Sequence, residues 1–160
     1  MVKCERIALT REDSQFLLEL SEDNFGDHRI RKSNHLGKYR EADRNVVSVQ
    51  GKRLDGVLPQ GYLGTGECPL LWLDVQGFES EVLLGGVTFV SSKNPLALEF
   101  WPYGLNRVNG VSELISTLDG YGVFYDLSRT EPRPQSIKDL LSMFDNNFQN
   151  DSYTKDILLV

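Results

Sequence analysis

Cysteine is scarce in this chain of 160 residues: there are two, Cys4 and Cys68. They lie far apart with no CxxC or Cys/His spacing, which argues against a disulfide framework and a zinc site and makes reduced cytosolic thiols the default. Long apolar runs are absent as well. No window approaches the roughly 18 apolar residues of a membrane-spanning helix, and the opening MVKCERIALTREDSQ contains no stretch of signal-peptide type. A cytoplasmic protein without a membrane partner is therefore expected. Positive charge is in short supply too, with 17 Lys and Arg against 23 Asp and Glu and a net charge of -6. Nucleic-acid affinity rests largely on clustered Lys and Arg, so no nucleic-acid partner is expected. The local basic stretch Arg29, Arg31, Lys32, Lys38 and Arg40 is broken by polar residues and followed by Glu41 and Asp43, and reads as a solvated loop. No GxSxG setting occurs, so a Ser-His-Asp arrangement is not indicated.

What remains is enough for one core. Apolar residues make up 40% of the chain, including 8 Phe, 6 Tyr and 2 Trp, too many for a disordered segment. Strands are expected over Val2–Leu9, over Gln15–Ser21, where Phe16, Leu18 and Leu20 alternate, and over Val46–Gln50. Between them, residues 22–45 form a long polar loop without periodicity, inserted in the single domain 1–160. Lys52–Leu58 reads as a turn of helix. Leu70–Leu73 is a continuous apolar run of the kind buried parallel strands show. Phe78–Leu84 follows as a helix with Glu79 and Glu81 in its first turn, where the helix dipole favours carboxylates, and Gly85-Gly86 stops it. A shorter helical piece reaches Lys93, and Leu96–Phe100 is a second buried strand, giving a parallel βαβ unit. Helix Val111–Leu118, strand Val123–Leu127, a Pro-rich loop, helix Ile137–Phe144 and strand Asp156–Val160 complete an open α/β sheet.

Ligands of such sheets bind outside the carboxyl ends of the strands, where Asp74–Gln76 and Glu99–Trp101 fall. Asp74 could simply cap the next helix, but its place at that edge favours function. Glu99 interrupts the apolar LALEFW, either as a rim glutamate or as a second carboxylate that would shift the pKa of the first. Gln76 and Glu79 stand beside Asp74, and the plain reading of Glu79 is a surface residue complementing the helix dipole. His28 and His35, in the polar loop, could supply a base or could simply be solvated. Gly64-Thr65-Gly66 follows no strand and precedes no helix, so it lacks the context of a phosphate loop. A two-aspartate phosphatase motif fails at Gln76, where the second carboxylate would stand.

These residues carry a resemblance. LLWLDVQGFESEVLLGG (70–86) is similar to the signature of the FkbM family of S-adenosylmethionine-dependent methyltransferases, an apolar strand ending in Asp-Val-Glu/Gln-Gly before a helix. PLALEF (95–100) resembles the next family strand, and VVSVQGKRLDGVLPQ (46–60) the segment before the signature. IALTREDSQFLLELSEDNFGDHRI (7–30) resembles the family's strand, hairpin and Asn-x-Gly loop, and DILLV its closing strand.

The resemblance implies a Rossmann-like class I methyltransferase-type sheet that is incomplete at its amino-terminal end. The glycine-rich strand–loop–helix and the ribose-binding acid of such enzymes find no counterpart, and the chain would begin at the family's third strand. It implies methyl transfer from S-adenosylmethionine to an oxygen of a sugar or natural-product hydroxyl, the protein aligning the nucleophile and taking its proton. On this reading Asp74 lies under the methyl donor, Asp74 and Glu99 are catalytic, and Asn24, His28, Gln76 and Glu79 meet a small-molecule or glycan acceptor. Ala8 and Leu9 would flank the adenine. The open edge of strand 70–74 would be exposed, be covered by Val2–Leu9 or Val46–Gln50, or pair with a second copy or a complementing amino-terminal half. Two alternatives stand beside it: a non-catalytic remnant or interaction module, and a metal-dependent α/β hydrolase using Asp74 and Glu99.

Overall fold

A computed structural model describes residues 3–32, 37–59 and 69–160. The amino-terminal part forms a four-stranded sheet of β1 (Ala8–Thr10), β2 (Gln15–Glu19), β3 (Arg29–Ile30) and β4 (Val46–Arg53), in the order β1-β4-β2-β3. β1 runs parallel to β4, with Ala8 opposite Gly51, while β2 is antiparallel to both β4 and β3. Gly51 leaves room for a neighbour's ring: a Cβ there would lie 2.4 Å from Cε2 of Phe16. Phe16 in turn meets Phe78 edge to face at 6.4 Å, joining this sheet to the second part of the molecule. The short helix α1 (Leu54–Val57) buries Leu54 against Gly86, and Asp55 accepts hydrogen bonds from the Thr88 amide and hydroxyl, both at 3.0 Å.

The second sheet holds the core. It comprises β5 (Leu71–Leu73), β6 (Leu96–Phe100), β7 (Val123–Asp126), β8 (Pro134–Ser136) and β9 (Lys155–Leu159), in the order β5-β6-β9-β7-β8. Helices α2 (Glu79–Leu84) and α3 (Val87–Ser91) connect β5 to β6, and α4 (Pro102–Arg107) and α5 (Val111–Leu118) lead to β7. Helix α6 (Asp139–Asn147) precedes β9. Leu96, Leu98 and Phe100 of β6 are buried together with Val82, Leu83, Leu114, Phe124, Leu140 and Ile157, one continuous apolar cluster. Burying side chains of this size contributes roughly 1.5–3 kcal/mol each, which is why the apolar residues of β6 lie in the interior.

The mixed α/β architecture agrees with the reading of the sequence. Leu71–Leu73 pairs in parallel with Leu96–Leu98, and the strands near 123 and 156 extend the sheet beyond β6. β9 lies between β6 and β7 and is antiparallel to both. Two elements escaped the sequence reading. Helix α4 starts on Pro102 and carries Gly104, both weak helix signals, while β8 begins at Pro134 and pairs along the sheet edge, where proline is tolerated. The proposed cover of β5 by Val46–Gln50 is not realised, because β4 is engaged by β1 and β2. Among the described residues β5 pairs with β6 alone, and Trp72 on it is 58% exposed.

The charged stretch after residue 26 is the largest departure. Instead of a solvated loop it contains short helical turns at Phe25–Asp27 and Glu41–Asp43 and the strand β3, and its Arg29 is 6% exposed. Arg29 donates to Asp27 Oδ1 (2.6 Å) and Glu41 Oε1 (2.9 Å), and Arg44 donates to Asp27 Oδ2 (2.6 Å). Arg107 of α4 also pairs with Glu41, which accepts from the Tyr103 hydroxyl at 3.0 Å as well. Composition alone could not show that these charges satisfy one another inside the protein.

Candidate active site

The run Leu71–Leu73 ends in the turn Asp74-Val75-Gln76-Gly77, which bends sharply before α2. Gln76 (φ 56°) and Gly77 (φ 92°) are both left-handed, so two successive residues adopt a backbone that only glycine takes without cost. The turn is held from beneath. Glu79 Oε1 accepts from the amides of Val75 (3.2 Å) and Gly77 (3.3 Å), and Glu79 is 0% exposed. The surface reading of Glu79 is thereby corrected: its side chain folds back under the turn that precedes its helix. Glu81, one turn face away, is also buried and pairs with Arg11 and Lys32.

Parallel pairing sets Leu73 opposite Leu98 and so brings Asp74 level with Glu99. On the other side of β6, Glu99 is the register partner of Asp156. Glu99 is half-buried, and its pKa is pushed up to about 7 by that burial, then by the charges of Asp74 and Asp156, against the opposing pull of Arg29. Glu79 is likewise raised to about 7, chiefly by complete burial and in smaller part by the charge of Glu99. Asp74 itself is exposed and accepts from Gln76 Nε2 at 2.7 Å.

A cleft of about 530 Å3 opens above this edge, and Asn24, Gln76 and Glu99 line it together with Arg29, Tyr39 and Trp101. Arg29 lies over both aromatic rings, 4.6 Å from the Trp101 centroid and 4.8 Å from that of Tyr39, so the ion-paired cation is sandwiched into the wall. Lys38 and Asp151 close the far side as an ion pair at 3.1 Å, and Trp101 Nε1 donates to the Asp151 carbonyl at 2.8 Å. Asn24 caps the turn at Phe25–Asp27 by accepting from the Gly26 amide at 3.0 Å. His28 stands apart from the lining: its Nδ1 accepts from the Ser21 amide at 3.0 Å, which fixes the loop. Ala8 and Leu9 lie in β1, paired with Gly51 and Lys52, and the structure does not bring them to the cleft lining. His35 and Gly64–Gly66 fall outside the described residues.

Of the cleft lining the sequence reading found Asn24, Gln76 and Glu99 and placed Trp101 at the strand edge without a role, but missed Arg29, Tyr39 and Asp151; Asp74 lies beside the lining. The one usable signal was Trp101, two residues beyond Glu99 at the same strand end. Among the described residues no three His, Cys, Asp or Glu side chains assemble into a metal-binding group, so the hydrolase reading finds no ligand set. Among the described residues no helix is long and apolar enough to cross a membrane.

Comparison with curated proteins and with solved structures finds no match. The model of the methyltransferase FkbM domain matches residues 4–125, from before β1 through β7 and across the whole Asp74–Glu99 edge. The chain belongs to the FkbM methyltransferase family.

Proposed function

We propose that this domain supports methylation of a hydroxyl oxygen on a small-molecule or glycan acceptor, with Glu99 taking the hydroxyl proton in the cleft. The observation that carries the reading is the setting of Glu99, a half-buried carboxylate on the cleft wall beside Asp74, with a pKa of about 7. A general base works best when its pKa lies near the working pH, where the ionised form is present and still accepts a proton readily. Gln76, which lines the cleft and is held by its hydrogen bond to the exposed Asp74 beside it, would orient the hydroxyl, and Asn24 would meet the remainder of the acceptor. Alkylating the oxygen requires a proton to leave it, and Glu99 is the acidic side chain of that edge that faces the cleft.

The family implies S-adenosylmethionine as the donor, which supplies a methyl group already made electrophilic by its sulfonium. The β5–α2 turn does not fit that cofactor as a cradle. Its Val75 and Gly77 amides, which an open strand–loop–helix would offer to a ligand, are taken by Glu79. No cofactor-holding role is therefore assigned to this turn. We read the β5-β6-β9-β7 order as part of a Rossmann-like sheet, a reading supported by the parallel β5–β6 pair and by the outer edge of β5, which has no strand partner among the described residues.

The test is turnover of a panel of sugar and natural-product hydroxyl acceptors with S-adenosylmethionine, comparing wild type with Glu99→Gln. Loss of about 10²-fold or more is expected, the range of a positioned proton acceptor. Equal turnover by the two proteins would remove Glu99 from the reaction.

A further inference from the structure

Glu79 is the most unusual polar group in the molecule. It is wholly buried, its Oε1 serves two backbone amides, and its Oε2 has no hydrogen-bond partner among the described residues. A buried carboxylate normally meets a cation or several donors, because an unpaired charge in a medium of low polarity is costly. Here no cation pairs with it among the described residues. The charged side chains on the surrounding elements are engaged elsewhere: Arg11 beyond β1 and Lys32 beyond β3 hold Glu81, and Arg107 of α4 holds Glu41. Glu113 of α5 is exposed to solvent. The charge that does act on Glu79 is Glu99 of β6, and it is of like sign.

Burial, the solitary Oε2 and a like charge nearby favour the neutral form and outweigh the Val75 and Gly77 amides, which favour the ionised one. We propose that Glu79 is a positioning residue that works as a neutral acid. It clamps the left-handed Asp74–Gly77 turn beneath the cleft and, carrying no charge, leaves Glu99 as the group that ionises. Its Oε1 can hold the Val75 and Gly77 amides in either protonation state, whereas a second negative charge beside Glu99 would be resisted by both burial and repulsion. The clamp keeps the left-handed Gln76 in place to reach Asp74, and with Glu79 neutral Glu99 of β6 is the carboxylate that ionises at the cleft. This inference rests on the reading of Glu99 as proton acceptor for its purpose, but not for its measurement.

The experiment is a carbon-13 carboxyl titration by NMR on the full chain with labelled glutamate, joined to hydrogen exchange of the backbone amides. In wild type, two glutamates are expected to titrate well above the ordinary carboxylate range. In Glu99→Gln, one such signal should persist. In Glu79→Gln, the Glu99 midpoint should stay where it is, since one neutral side chain has replaced another. The Val75 and Gly77 amides should remain protected in Glu79→Gln and exchange about tenfold faster in Glu79→Ala, the factor expected for losing one hydrogen bond. The proposal is overturned if Glu99→Gln shows no raised glutamate, or if Glu79→Gln lowers the Glu99 midpoint by about one pH unit, because Glu79 would then have been charged beside it. Should either variant fail to fold, fewer than two raised glutamates in wild type overturns it equally. None of these readouts uses a methyl donor or an acceptor, so an active Glu99→Gln enzyme would sink the proposed reaction and leave this result standing.

Discussion

Gly77 and Gly104 meet backbone to backbone. A Cβ on Gly77 would fall 2.4 Å from the Gly104 carbonyl carbon, and one on Gly104 would fall 2.9 Å from Gly77 Cα and 2.3 Å from Cε3 of Trp101. The turn that carries Gln76 is thus seated directly on helix α4, and α4 in turn places Tyr103 and Arg107 on Glu41. This contact joins the edge of the sheet to the ion-paired wall of the cleft, beside the stacking of Arg29 on Trp101.

Gly104→Ala is accordingly expected to destabilise the protein by about 1–3 kcal/mol, the usual cost of forcing an extra carbon into a packed site. Gly77→Ala should cost more, because it adds a left-handed alanine to the same collision. Urea denaturation of the two variants checks both the sign and the order. A Gly104→Ala protein as stable as wild type would show that the turn and α4 are not locked together.

That contact also shows where the sequence was readable and where it was not. Leu70–Leu73 and Leu96–Phe100 announced themselves as strongly apolar runs of the kind buried strands need, although Trp72 of the first is exposed and Glu99 breaks the second. Val111–Leu118 did so through its apolar face, and Leu114 and Leu118 are indeed buried. Asp74 and Glu99 could be placed at one edge because parallel pairing fixes which residues end level. Helix α4 was hidden by Gly104, which serves close approach to Gly77 and not helix formation, two residues after Pro102 at the helix start. The cleft wall was hidden more thoroughly. Arg29, Asp27 and Glu41 carry the composition of a solvated loop, and apart from the local Arg29–Asp27 pair their burial depends on partners 12 and more positions apart, including Arg107 on a distant helix. Nothing local marks such a network.

Breaking that network should be costly. Glu41→Ala removes the acceptor shared by Arg29, Arg107 and the Tyr103 hydroxyl and leaves cationic groups buried without it. A loss of about 3–5 kcal/mol is expected, the range for removing one partner of a buried ion pair. Thermal and urea unfolding measure it. A loss below about 1 kcal/mol would place these charges in the class of surface pairs.

Stability should also depend on pH through Glu79. Its folded pKa of about 7 lies above the ordinary 4.5, so the folded state binds more protons than the unfolded state between those values. Stability then falls as pH rises through that window, by up to about 3 kcal/mol for Glu79 alone, and levels off above it. Glu79→Gln cannot lose a proton, so its stability relative to wild type should rise between pH 5 and 8. Parallel urea midpoints for the two proteins across that range would show that Glu79 does not titrate with folding.

The last expectation concerns what tunes Glu99. Burial is the main cause of its raised pKa, and the charges of Asp74 and then Asp156 come next. These two aspartates flank it on neighbouring strands, Asp74 at the end of β5 and Asp156 opposite it on β9. Neutralising either side chain removes a like charge, so ionised Glu99 becomes easier to form and its pKa must fall toward 4.5. Asp74→Asn and Asp156→Asn should therefore each move the Glu99 titration to lower pH, Asp74→Asn by more, and the double variant further still. Burial is untouched, so even the double variant should titrate above the ordinary carboxylate range. In an active enzyme the acid limb of the pH profile should move in the same direction, and turnover below pH 6 should gain relative to wild type if Asp74 acts only through its charge. If Asp74→Asn instead lowers turnover at every pH while the Glu99 midpoint shifts as expected, Asp74 also touches the acceptor, as its exposed place at the rim would permit. A Glu99 midpoint that does not move in either variant would mean that burial alone sets it, and the pairing of these strand ends would then carry no electrostatic consequence.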